Sequence, residues 1–179
     1  MNSRSKSGIA VTKESTKDVS VLLAALENSS PIVRGEAREE LVGIGHSAVP
    51  LLIPLLSHRK THVRWEAAKA LGSIADPIAA TALVNAMKDR DSDVRWLAAE
   101  GLAAIGREGL PPLLAALIDK NQVSRLCEGS HHVCHRLVVR RGLAKILRPL
   151  LEALSHAEPE VAVPPAAYDA LTKLREIRS

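Results

Sequence analysis

Phenylalanine is absent from this 179-residue sequence, and Trp65, Trp96 and Tyr168 are its only aromatic residues. A core without aromatic bulk must be built from Leu, Ala, Val and Ile, which favours closely packed helices. Two cysteines exclude a disulfide scaffold. Long apolar runs are missing too: the longest, Ala48 to Leu56, is nine residues broken by Pro50 and Pro54, against roughly 20 needed to span a bilayer. Nor does one sign of charge dominate. Lys plus Arg number 24 against 20 Asp plus Glu, a balance that argues against nucleic acid as the partner. There is no phosphate-binding Gly loop and no recognisable Ser, His and Asp nucleophile arrangement, so a non-catalytic role is favoured. Residues 1–16 are rich in Ser, Lys and Thr without the apolar block of a signal peptide, and are expected to be a disordered lead-in. A cytoplasmic protein without membrane insertion is expected.

What is present is self-similarity. Val33 to Gly45, Val63 to Ala75 and Val94 to Gly106 superimpose without gaps, their starts 30 and 31 residues apart. In the middle copy Val63, Ala67, Leu71 and Ile74 follow helical spacing with one buried stripe. Ahead of each copy runs a second apolar segment: Val19 to Leu26, Val49 to Leu56 and Ile78 to Met87, with Leu110 to Ile118 opening a fourth unit. Gly45 and Gly106 follow the second helix where a left-handed cap is wanted. The unit is a helical hairpin that cannot hide both apolar faces alone, so copies must stack. A further step of 31 residues puts Arg125 first, Gly129 and Ser130 at the small positions and Val133 at the Leu position of a degraded fourth unit. The fifth second helix is expected after Pro164 and Pro165, with Val163, Ala167, Leu171 and Leu174 facing inward.

These copies resemble the HEAT repeat, in particular the short HEAT-like repeat of phycobilin lyases and bacterial scaffold proteins. The expected fold is an all-α, right-handed α-solenoid of about five HEAT-like hairpins, one domain over 17–179 with repeats at about 17–45, 46–75, 76–106, 107–138 and 142–178. The resemblance implies that second helices line a concave groove that holds a peptide or protein partner. Third and seventh positions would face it, giving Trp65, Lys69, Trp96 and Glu100, followed by Cys127 and His131, with His132 alongside. Arg34, Arg64 and Arg95 recur near the start of each second helix and are expected to brace neighbouring turns, with Asp91 and Asp93 as candidate acids.

Unit four also carries a Cys and His cluster. Cys127, His131, Cys134 and His135 fall on one helical arc of about 100°, and thiolate with imidazole suits zinc or another transition metal. A metal protein or enzyme is therefore one alternative, and a bilin lyase-like chaperone, implied by the resemblance, is another. The His-Glu dipeptides of diiron HEAT hydroxylases are absent, and acidic Glu39 and Glu100 in the groove speak against the DNA binding of HEAT-like glycosylases. Arg136, Arg140, Arg141, Lys145 and Arg148 make a local basic excess, the best candidate for anionic docking. The apolar first helix, with Val19, Leu22, Leu23 and Leu26, leaves homo-oligomerisation open.

Overall fold

The computed structural model describes residues 13–140 and 142–177, with side chains from Val19 onward. Residues 1–12 of the expected lead-in, and Arg141 of the basic set, lie outside the described residues. Five helix pairs follow in order: α1 (Lys13–Ala25) with α2 (Pro31–Ile44), α3 (Val49–Leu52) with α4 (Thr61–Ile74), and α5 (Ala80–Ala86) with α6 (Ser92–Ile105). They continue as α7 (Leu110–Ile118) with α8 (Lys120–Val138), and α9 (Ala144–Leu154) with α10 (Pro159–Glu176). No strand is present among the described residues, and the architecture is an all-α solenoid of HEAT-like hairpins.

Local sequence explains the irregular first helices. Pro50 and Pro54 remove amide donors from the second unit, so only Val49–Leu52 is α-helical and the flanks tighten into 3-10 turns at Gly45–Ala48 and Ile53–Ser57. Pro111 and Pro112 open α7, where no donor is needed. Two continuous helical stretches, Pro31–Ser57 and Ser92–Ile118, are 27 residues each and apolar enough by composition to cross a membrane. Each is two helices of successive units, because the backbone leaves the helix at Gly45 (φ 70°) or Gly106 (φ 81°). At the corresponding place in the second unit Ala75 is held in the left-handed region at φ 54°, a conformation that costs an L side chain about 1–2 kcal/mol.

Second helices pack in series, α2 on α4, α4 on α6 and α6 on α8, while α5 and α7 adjoin among the first helices. One apolar cluster runs from Val19 to Leu174 through buried Leu41, Leu71, Leu102 and Leu126. α4 and α6 approach closely at paired glycines, where a Cβ added to Gly72 would lie 3.0 Å from the Gly101 Cα.

The last pair departs from the series. α9, the first helix of its hairpin, packs beside the second helix α8, while α10 packs against the first helix α7 as well as α8 and α9. The Arg107 guanidinium, next to the start of α7, reaches the Leu174 carbonyl near the end of α10, so those two helices run antiparallel. The fifth hairpin thus packs with its members exchanged, making a four-helix group with α7 and α8. Its second helix also begins earlier than expected: Pro164 and Pro165 lie inside α10, not ahead of it. Burial of Val163, Ala167, Ala170, Leu171 and Leu174 holds the helix through the missing amide donors.

Candidate functional site

The arginine ladder is the most regular feature. Nη1 of Arg34, Arg64 and Arg95 donates in each case to the carbonyls six and five residues upstream, at 3.0–3.4 Å. Each arginine ties the turn between two helices to the start of the second one. The acids differ from the expected ones. Arg64, buried, donates from Nε and Nη2 to both carboxylate oxygens of Asp89 at 2.7 and 2.9 Å, and Arg34 with Arg38 grips buried Glu66 of the next unit. Asp91 is instead an N-cap, accepting from the amides of Asp93 and Val94. Burial works against the charge of Asp89, yet hydrogen bonds from Arg64 and the Asp91 amide override it and hold the carboxyl below its ordinary value.

The two tryptophans share a sequence position but not an environment. Trp65 is half-buried, with Lys69 Nζ 4.7 Å from its ring centroid and the Arg38 guanidinium at 6.0 Å. Trp96 is 56% exposed, and its nearest ring partner is His132, tilted by 45° at 6.3 Å. One turn after Trp65 stands Lys69. One turn after Trp96 stands Glu100, whose carboxylate pairs with His132 Nε2 and accepts from Arg136 Nη1 at 2.9 and 3.2 Å. Trp96 borders a cleft of about 620 Å³ between α6 and α8, lined also by Met87, Asp93, Glu128, Gly129 and His131.

Unit four does not follow the spacing of 31. Leu126, Ser130, Cys134 and Leu137 are all buried, which sets the unit 32 residues after Val94, Ala98, Leu102 and Ile105 and one residue beyond the sequence expectation. In that register His132, not His131, aligns with Lys69 and Glu100. Cys127 falls at the brace position and donates its thiol to the Leu154 carbonyl of α9 at 3.4 Å. Cys134 falls at the Leu position, and burial pushes its thiol up to about 12. The Cys127 thiol is also raised, by burial and then by the charge of Glu160. The four candidate ligands are therefore not brought together: α9 covers the cysteine flank, while His131 and His135 stay exposed with rings stacked at 6.3 Å and 13°. No group of three or more His, Cys, Asp or Glu suited to a metal occurs among the described residues.

The basic set is dispersed. Arg136 is turned to Glu100, Arg140 lies so close over Gly106 that a Cβ there would be 2.5 Å from its Nη1, and Lys145 and Arg148 are exposed on α9. Three contributions escaped sequence reasoning. Glu66 as a buried acid, Asp89 as the partner of Arg64 and Arg136 as the partner of Glu100 all pair across 25 to 36 residues, and only repeat spacing hinted at such distances.

A family model for HEAT repeats matches residues 19–103, and one for the PBS lyase HEAT-like repeat matches residues 94–119. The chain is a HEAT-like repeat protein. Among solved structures, the complex of CpcE and CpcF of phycocyanin lyase from Nostoc sp. PCC7120 contains a chain that superimposes on this HEAT-like repeat protein with a TM-score of 0.56. The identity is 23%, over 87% of this chain and 98% of that one. Two engineered proteins also match, at TM-scores of 0.46 and 0.45 with 22% and 21% identity, over 87% and 91% of this chain and 80% and 81% of theirs. No curated protein matches the sequence.

Proposed function

We propose that this HEAT-like repeat protein is a non-catalytic scaffold that holds a peptide segment of a protein partner against the outer faces of α4, α6 and α8. One observation carries the reading: Trp96 stands 56% exposed at the wall of the cleft between α6 and α8. A tryptophan leaves about half of a large apolar surface in water at a cost that binding would recover, and it is a preferred anchor at interfaces. Lys69, Glu100 and His132 flank it. The lyase subunit of similar fold was solved in a complex with a second subunit, which supports a protein partner. The two cysteines are free, which suits the reducing cytoplasm.

The test compares affinity capture by the wild-type protein and by Trp96→Ala, followed by titration of the purified captured partner. The expected outcome is retention by the wild type and loss of at least tenfold in affinity for the variant, with helical circular dichroism unchanged. Equal affinity removes the reading.

A second reading is favoured by the stacked rings of His131 and His135, one turn apart and exposed. Such a pair is a two-point chelate for a late transition metal whose remaining positions are open to water or a partner. Calorimetric titration with Zn²⁺ tests it. One-to-one binding that disappears in His135→Ala supports the reading, and the same heat from both proteins ends it.

A further inference from the structure

We propose that the cleft beside Trp96 receives a lysine or arginine side chain of the partner, an inference that rests on the peptide-binding reading above. The template for it is inside the molecule. Over Trp65, Lys69 places its ammonium 4.7 Å from the ring centroid, and Arg38 of the preceding unit adds a guanidinium at 6.0 Å. A cation over an indole face is attracted by the ring quadrupole, and tryptophan is the best of the aromatic side chains for it. Trp96 repeats that position one unit later, but Glu100 stands where the lysine stood, its carboxylate paired with His132 and Arg136. No lysine or arginine lies over the Trp96 ring among the described residues.

The walls of the cleft suit the same group. Asp93 on α6 and Glu128 on α8 both line it, and neither has an ion pair among the described residues. Two arginines line it as well: Arg95, held by the carbonyls of Asp89 and Arg90, and Arg125, one turn before Glu128 on α8 and without an ion pair among the described residues. Gly129, with Met87 and Ala99 against it, keeps the floor low and apolar, which accommodates the methylene stem of a long basic side chain. The guest cation would meet the indole face and a carboxylate together, as Arg38 meets Trp65 while paired to Glu39 and Glu66.

Selection from a randomised 12-residue peptide library on the full chain tests this. The expected result is a set of peptides with one invariant Lys or Arg, whose replacement by norleucine weakens binding about three- to tenfold. Trp96→Leu, which keeps apolar volume without a π face, should cause the same loss, and Trp96→Phe should restore part of it. Glu100→Lys should fill the site from within, as Lys69 does over Trp65, and reduce binding to a comparable extent. Peptides that depend on Trp96 but carry no basic residue, or that bind Trp96→Leu unchanged, overturn the inference while leaving the scaffold reading intact. A library that yields nothing beyond what Trp96→Ala retains overturns both.

Discussion

The second helices of units two and three carry the same three residues near their starts, Val63-Arg64-Trp65 and Val94-Arg95-Trp96, and the structure uses them differently. In unit two the arginine is buried against Asp89 and the tryptophan lies under Lys69 and Arg38. In unit three the arginine meets carbonyls alone and the tryptophan is open to solvent. A motif sets where a side chain starts, and the neighbouring unit sets what it finds. Unit two closes its motif onto neighbouring side chains, and unit three leaves its tryptophan to solvent.

The sharpest way to break this comparison is to remove the two arginines separately. Arg64→Ala strands Asp89, nearly buried, without its partner, and is expected to lower stability by about 3–5 kcal/mol. Arg95→Ala removes charged hydrogen bonds to two carbonyls but strands no buried acid, and should cost only about 1.5–2 kcal/mol. Urea denaturation measures both, and equal losses would mean that the ion pair adds nothing.

Acid should expose the same difference. The Asp89 carboxyl is held below its ordinary value of 3.8 in the folded chain, so its contribution is present above the unfolded value and lost as pH falls through the folded one. Below about pH 4 the wild type should therefore lose stability more steeply than Arg64→Ala. Parallel curves of stability against pH would remove Asp89 from the argument.

The tryptophans come next in size. Trp65→Ala is expected to cost about 1–2 kcal/mol in packing and cation–π contact, and Trp96→Ala less than about 0.5 kcal/mol. A reversal of that order in thermal unfolding would mean that Trp96, not Trp65, is the packed one. Ser130 tests the register of unit four: its buried hydroxyl has no hydrogen-bond partner among the described residues where units two and three have Ala67 and Ala98. Ser130→Ala should therefore stabilise by about 1 kcal/mol; a loss would contradict the 32-residue step. Smallest of all, Ala75→Gly should gain about 0.5 kcal/mol by placing glycine at the position of Gly45 and Gly106. No gain in chemical denaturation would mean that the left-handed turn carries no strain.

The first three hairpins were legible because the signal is a repeated spacing of Val, Ala, Leu and Ile, closed by a glycine in units one and three, and the arginine braces followed as a class. Less was readable in unit four. There one residue, Asp119, joins α7 to α8, and shortening the turn removes the landmark from which position is counted. The Cys and His cluster looked like one arc because helical spacing says which residues share a side, but not which other helix covers that side. α9 does so at Cys127, and the exchange of α9 and α10 has no local signature.

By itself the order of residues determined that this chain is helical, that its helices pair, and that successive pairs must stack, since each of these follows from the apolar spacing within some thirty residues. Only the assembled tertiary structure decided which of two identical motifs has its tryptophan covered and which has it exposed, how the fifth pair exchanges its members, and which acid meets which arginine. Those outcomes depend on contacts between distant segments, whose energies come from burial and charge pairing in a surrounding that no single repeat contains.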